Sequence, residues 1–240
     1  MMNETDAVSE ALESELNNIW NNRKSENSRK GDMGEVFVKN AIRQSFFDKG
    51  YKIAKKGKGT FRVHKQVKSG NKGRGEIDFN VTFTDENGNS GEWFVESKNW
   101  GDYPISKDTY KTEIKDRFNK VDSSNNKKRA LAIPKSHTNS TNIKNNCPKD
   151  KITVIPIEQQ ITDHTINNKQ VKSTFKNFKD EMDKYIEDFV PDITNRQEDS
   201  IERDLTQGKD YTVVAKKWDK SEGHIRNIAS KLVSYHKVYK

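Results

Sequence analysis

Between residues 75 and 100 the chain alternates. Ile77, Phe79, Val81 and Phe83 are separated by Asp78, Asn80 and Thr82, which is the period-two pattern of a strand with one apolar and one polar face. Asn87-Gly88 supplies turn chemistry. In the returning stretch Trp93 and Val95 share one face, while Phe94, Glu96 and Lys98 share the other. A β-hairpin folded about Asn87 is therefore predicted.

Elsewhere the apolar residues recur at helical spacing. Thr5-Asp6 is a plausible cap for a first helix carrying Val8, Leu12, Leu16, Ile19 and Trp20, and residues 21–30 lack apolar periodicity and read as a linker. That helix either packs on its own domain or exchanges onto a second subunit, which would make a homodimer. A second helix opens at Lys30-Gly31 with Val36, Phe37, Ile42 and Phe46 as its buried stripe, and Glu35 falls in its first turns. Residues 60–67 read as the first strand. After the hairpin, residues 100–104 read as a loop and residues 106–122 as a helix with Tyr110, Ile114, Phe118 and Val121 on one face. Ala130 to Ile133 and Ile152 to Ile155 are short buried strands, separated by a polar segment. A helix opening at Thr174 carries Phe175, Phe178, Met182, Tyr185, Ile186 and Phe189. The fold class is α/β, with a mixed central sheet, an N-terminal helix and a small all-α C-terminal domain. Residues 1–30 form the helix and linker, 31–190 the main domain, and 191–240 the C-terminal domain.

In that last segment a short helix over residues 201–207 is ended by Gly208, a second runs from Thr212 to Trp218, and Ser221 caps a third. The arrangement resembles a helix-turn-helix, whose last helix would enter the major groove and present Ser221, His224, Arg226 and Asn227, with Lys231 on phosphate. A small three-helix cap is also a common structural or dimerising element.

Composition narrows the function. Of 240 residues, 33% are charged and 30% hydrophobic, and the formal charge is +8. The core must be modest. No apolar run approaches membrane-spanning length, and residues 1–6 lack the layout of a signal peptide, so a soluble intracellular protein of the cytoplasm or nucleoid is expected, with no membrane partner. Cys147 is the only cysteine, which excludes an intrachain disulfide and a thiolate zinc cluster. Basic charge is dense between residues 51 and 75, where Lys55, Lys56, Lys58, Arg62, Lys72 and Arg74 occur and no acid does. Such a segment suits a phosphate polymer, through counterion release.

Asp78 and Glu96 are equidistant from Asn87, so the hairpin brings both carboxylates to one end of the sheet with Lys98 beside them. Two carboxylates with an open side form a hard oxygen site that suits Mg2+, with Mn2+ able to substitute. The plain alternative is a solvated cross-strand pair.

Asp78 with Glu96-Ser97-Lys98 on a hairpin resembles the signature of the PD-(D/E)XK nuclease superfamily, with Ile77 where the family name has Pro. Gly31 to Glu35 resembles the opening of archaeal Holliday junction resolvases. The order of elements matches the superfamily's restriction endonuclease-like αβββαβ core. The resemblance covers roughly residues 30–157. It implies a metal-dependent endodeoxyribonuclease acting on double-stranded or branched DNA, with Asp78, Glu96, the Val95 carbonyl and Glu35 around the metal, and Glu35, Asp78, Glu96 and Lys98 as the catalytic set. The C-terminal module favours an endonuclease directed to particular sites. A structure-specific junction resolvase and a non-catalytic DNA-binding protein are the alternatives.

Overall fold

The structure is a computed structural model that describes residues 4–22, 24–54, 56–68, 76–118, 127–187, 189–191, 193, 201, 204–205, 208–226 and 228–229, with the backbone alone for 4–9, 66–68 and 76. Of the predicted DNA contacts, Lys55, Lys72, Arg74, Asn227 and Lys231 lie outside these residues. The chain divides into two compact units, Met1–Pro191 and Asp192–Lys240.

The first unit is built on a mixed six-stranded sheet in sequential order, β1 to β6. The strands are β1 (Lys52–Ile53), β2 (Thr60–Lys68), β3 (Glu76–Thr84), β4 (Ser90–Ser97), β5 (Lys127–Pro134) and β6 (Thr153–Ile157). β2, β3 and β4 form an antiparallel meander, whereas β1 runs parallel to β2, and β5 and β6 run parallel to β4. The chain returns from β4 to β5 through a helix, as a parallel connection requires. Phe79 pairs with Val95 and Thr84 with Ser90, so the hairpin folds about Asn87. Asp85 organises the turn by accepting from the backbone N–H of Asn87 (2.8 Å) and of Asn89 (2.9 Å), and Gly88 takes the positive φ (88°).

Helix α1 (Glu4–Trp20) packs on α2 (Glu26–Asp48) and on α8 (Val171–Glu187), and α2 and α8 lie against the sheet. Its Leu12 and Leu16 are buried. The segment 21–30 is not a linker throughout. Ser25 caps α2, and Arg29 donates to the Trp20 carbonyl (2.7 Å) while its guanidinium lies 4.5 Å from the Trp20 ring centroid. Only Asn21 to Ser25 separate the two helices. Apolar periodicity begins at Met33 because the first two turns of α2 are held by polar contacts at the surface. Glu35 consequently sits in the third turn and not at the dipole end.

Phe37 meets Phe175 edge-on, Phe46 stacks on Phe61 and Trp93 lies against Tyr185, which fills the α1–α2–α8 side with aromatic rings. The opposite face carries a second cluster that includes Phe94, Leu131, Ile133, Ile143, Cys147, Ile114 and Phe118. Ile77, which strict alternation would set with Phe79, also joins this second cluster. β4 is covered on both faces, so its burial is continuous and does not alternate.

The predicted helix over residues 106–122 is broken into α3 (Lys107–Tyr110), a π-helical turn (Lys111–Lys115) and α4 (Asp116–Phe118), and residues 119–122 lie outside the described ones. The polar segment before β6 contains α5 (Lys135–Thr138) and α6 (Thr141–Asn146), and α7 (Asp163–Asn167) precedes α8. No helix is long and apolar enough to cross a membrane among the described residues.

The second unit has its own core of Ile201, Val214, Ala215, Ile225 and Ile228, around α9 (Tyr211–Trp218). Asp204 is buried and accepts from Lys209, Lys217 and the Trp218 indole, and these bonds hold its carboxyl well below the usual range. Asp219, in the left-handed region (φ 52°), ends α9, and the Ser221 hydroxyl accepts from the His224 N–H to cap the helical residues 222–226.

Candidate active site

Asp78 and Glu96 meet at the end of the β3–β4 ladder away from the turn. The Asp78 N–H donates to Glu96 Oε2 (3.3 Å), and the Ser97 N–H donates to Asp78 Oδ2 (2.8 Å). Each carboxylate is therefore fixed by the other strand's backbone. Lys98 Nζ lies 2.8 Å from Glu96 Oε1. Glu96 is fully buried, with 0% exposure, and Asp78 is half-buried with its side chain on a cleft.

Burial and the neighbouring Glu96 push the Asp78 carboxyl up to about 8, against the pull of Lys98. Glu96 is raised as well by burial, with Lys98 and Arg117 opposing. Burial works against the Lys98 ammonium, but Glu96 more than offsets it and the lysine is held above its ordinary value. The physical picture is two largely buried carboxylates, one held by Lys98 at 2.8 Å with Arg117 at 4.0 Å, beside a polar cleft. Such perturbed groups concentrate at functional sites.

The cleft has a volume of about 730 Å³ and is lined by α2 (Asn27, Lys30, Gly31, Glu35), by Asp78, by residues 97–101 with Tyr103, and by Arg117 and Gln160. Gly34 allows α2 to lie this close: a Cβ there would be 2.5 Å from the Cβ of Asn99. Asn99 locks the arrangement by donating to the carbonyls of Lys30 (2.8 Å) and Ile161 (2.7 Å) and accepting from the Ile161 N–H (2.7 Å). Glu35 faces the cleft with Oε2 2.8 Å from Lys65 Nζ.

Asp78, Glu96 and Lys98 thus come together at one end of the sheet, and Glu35 lines the same cleft. Val95 does not join them. It is fully buried, registered against Phe79 on one side and Ala130 on the other, and absent from the cleft lining, where Ser97 is found. The predicted basic contacts also sit elsewhere. Arg62 pairs with Thr82, and Lys56 and Arg62 line a separate hollow near Thr84 and Ser90. Lys58 approaches Gly88 in the hairpin turn. At a rise of about 3.3 Å per residue, the six residues from Asp78 to Thr84 set that end roughly 20 Å away. In the second unit Ser221 and His224 are exposed, and Arg226 lies over the Tyr211 ring (4.9 Å) and 3.7 Å from Glu222.

Two further charged groups of this network come from the interrupted helix, one of them a partner of Lys98. Glu113 Oε2 is 3.4 Å from Lys98 Nζ, and Arg117 reaches Glu113 (3.6 Å) and Glu96 (4.0 Å). Their sequence signal was an acid and a base four residues apart on a helix face. The π turn decides which way that face points, and such turns are frequent at functional sites.

No three His, Cys, Asp or Glu side chains gather as a metal-holding group among the described residues. Asp78 and Glu96 still fit a hard divalent ion, because Mg2+ keeps several waters and needs only one or two carboxylates. Both carboxyls are raised first by burial, Asp78 also by the charge of Glu96, and a bound cation would favour their ionised forms. Comparison with family models, curated proteins and solved structures gives no match to this chain.

Proposed function

We propose that this protein is a magnesium-dependent DNA endonuclease of the PD-(D/E)XK kind, with a restriction endonuclease-like core formed by α2, β2, β3, β4, the helix of residues 107–118, and β5. The observation that carries the reading is the fixed trio of Asp78, Glu96 and Lys98 at the mouth of a polar cleft. A solvated cross-strand pair would not be buried, and Glu96 is.

In the reaction, water adds to phosphorus, the bond to one sugar oxygen breaks and that oxygen takes up a proton, leaving one phosphate end and one hydroxyl end. Magnesium, or manganese in its place, would supply Lewis-acid activation of water and neutralise charge on the phosphate. Asp78 and Glu96 would hold the ion. Lys98 is placed to stabilise charge developing on a phosphoryl oxygen. Glu35, steadied by Lys65, offers a carboxylate to the water's proton. The net charge of +8 favours a polyanionic substrate, and the C-terminal unit, with its capped helix 222–226, would direct cleavage to particular sites.

The test is plasmid cleavage with and without magnesium. Asp78→Ala and Lys98→Ala should each lower the cleavage rate by at least about a hundredfold, the scale on which removing a charge-stabilising group acts. Their circular dichroism should be unchanged. Near-wild-type cleavage by Asp78→Ala would falsify the assignment.

A further inference from the structure

Two aromatic rings stand beside the proposed catalytic lysine. Trp100 and Tyr103 both line the cleft, with ring centroids 6.0 Å apart, and Lys98 Nζ is 5.9 Å from the Trp100 ring. Tyr103 is 45% exposed. Trp100 is half-buried against that cluster. The loop between them is held rather than loose. His137, itself buried, shares a hydrogen bond with the Gly101 carbonyl (2.7 Å), and its ring meets Trp100 edge-on at 6.1 Å and Tyr103 at 5.7 Å. Gln160 donates to the Asn99 carbonyl at the loop's start (2.9 Å).

A fixed aromatic pair at a cleft that handles phosphate has one obvious partner, because every nucleobase has a π face and stacking on a ring does not depend on sequence. A base in an intact duplex is already stacked on its neighbours and cannot reach such rings. The two ring planes are tilted by 43°, so one base can stack on only one of them. Resting on the nuclease reading above, we propose that the exposed Tyr103 ring stacks on an unpaired base next to the scissile phosphate, with Trp100 as the second wall of this aromatic platform. The preferred substrate class is then DNA with a locally opened or single-stranded segment: a bubble, flap or branch point in place of continuous duplex. His137 acts as a positioning residue for the platform.

The experiment compares magnesium-dependent cleavage of a fully paired duplex with that of the same duplex carrying a short unpaired bubble. Wild-type protein should prefer the bubble. Tyr103→Ala and Trp100→Ala should each lower the bubble-to-duplex ratio of kcat/KM by about 5- to 150-fold, the range that base–aromatic stacking confers. Most of the loss should appear in KM. Trp100→Phe and Tyr103→Phe should keep the preference, since a ring remains. Tyr103 is exposed, so its alanine variant decides the matter if Trp100→Ala fails to fold. Equal wild-type cleavage of both substrates, or a preference that survives Tyr103→Ala, overturns the platform and leaves the nuclease reading standing. No metal-dependent cleavage of plasmid, duplex or bubble withdraws both.

Discussion

Asp78 carries a cost that the folded protein bears at neutral pH. Its carboxyl is pushed up to about 8 by burial and by Glu96, so the folded state holds a proton more tightly than the unfolded chain does. Between the unfolded value near 4 and about 8, stability should therefore fall as pH rises, by up to about 1.4 kcal/mol per pH unit. Glu96 moves in the same direction and adds to the slope. Asp78→Asn removes the titrating group, and we expect it to flatten the fall and raise Tm above wild type at the alkaline end. Magnesium should raise the wild-type Tm there and leave that of Asp78→Asn nearly unmoved, because an ion that binds only the folded state stabilises it. Urea or thermal denaturation across the pH range, with and without magnesium, checks both points. Parallel slopes for the two proteins would show that Asp78 titrates normally.

At the scale of elements, the docking of α2 on the end of β4 depends on one missing side chain. A Cβ at Gly34 would sit 2.5 Å from the Asn99 Cβ, and neither atom can rotate away. Gly34→Ala gains about 1 kcal/mol of helix propensity, but relieving the clash should cost about 1–3 kcal/mol and disturb the Asn99 bonds that anchor the residue after Lys98. A lower urea midpoint together with slower cleavage is expected. An unchanged or higher midpoint would mean that α2 can move aside without penalty.

The same elements show what the sequence could and could not announce. The hairpin was legible because period two survives wherever one face meets solvent, and because Asp78 and Glu96 stand symmetrically about Asn87. Burial of Phe94 and Glu96 was not, since β4 is interior on both faces and alternation carries no information there. Glu113 and Arg117 were hidden because ordinary helical spacing does not anticipate a π turn. The early start of α2 is invisible to periodicity because its first turns are polar, and periodicity reports only what is buried. The resemblance implied the Val95 carbonyl at the metal, while backbone pairing on both sides keeps that residue within the sheet.

For the molecule as a whole, the two units have separate cores, and the proposed cleavage chemistry falls in one alone. A chain ending at Pro191 should fold and cut DNA in magnesium. It should lose any preference among sequences, since phosphate contacts position and base-edge contacts specify. Cleavage-site mapping on a plasmid, full-length against truncated, makes the comparison, and an unaltered site pattern would confine recognition to the first unit. Cys147 bears on how such experiments can be done. It is fully buried under the α3–α6 side of the sheet, and burial lifts its thiol to about 11, so thiol-reactive reagents find almost no thiolate to attack. The native chain should therefore be silent to maleimide chemistry. One cysteine introduced at Val213, 58% exposed on α9, would take a fluorophore alone and let a single dye report whether the C-terminal unit binds DNA.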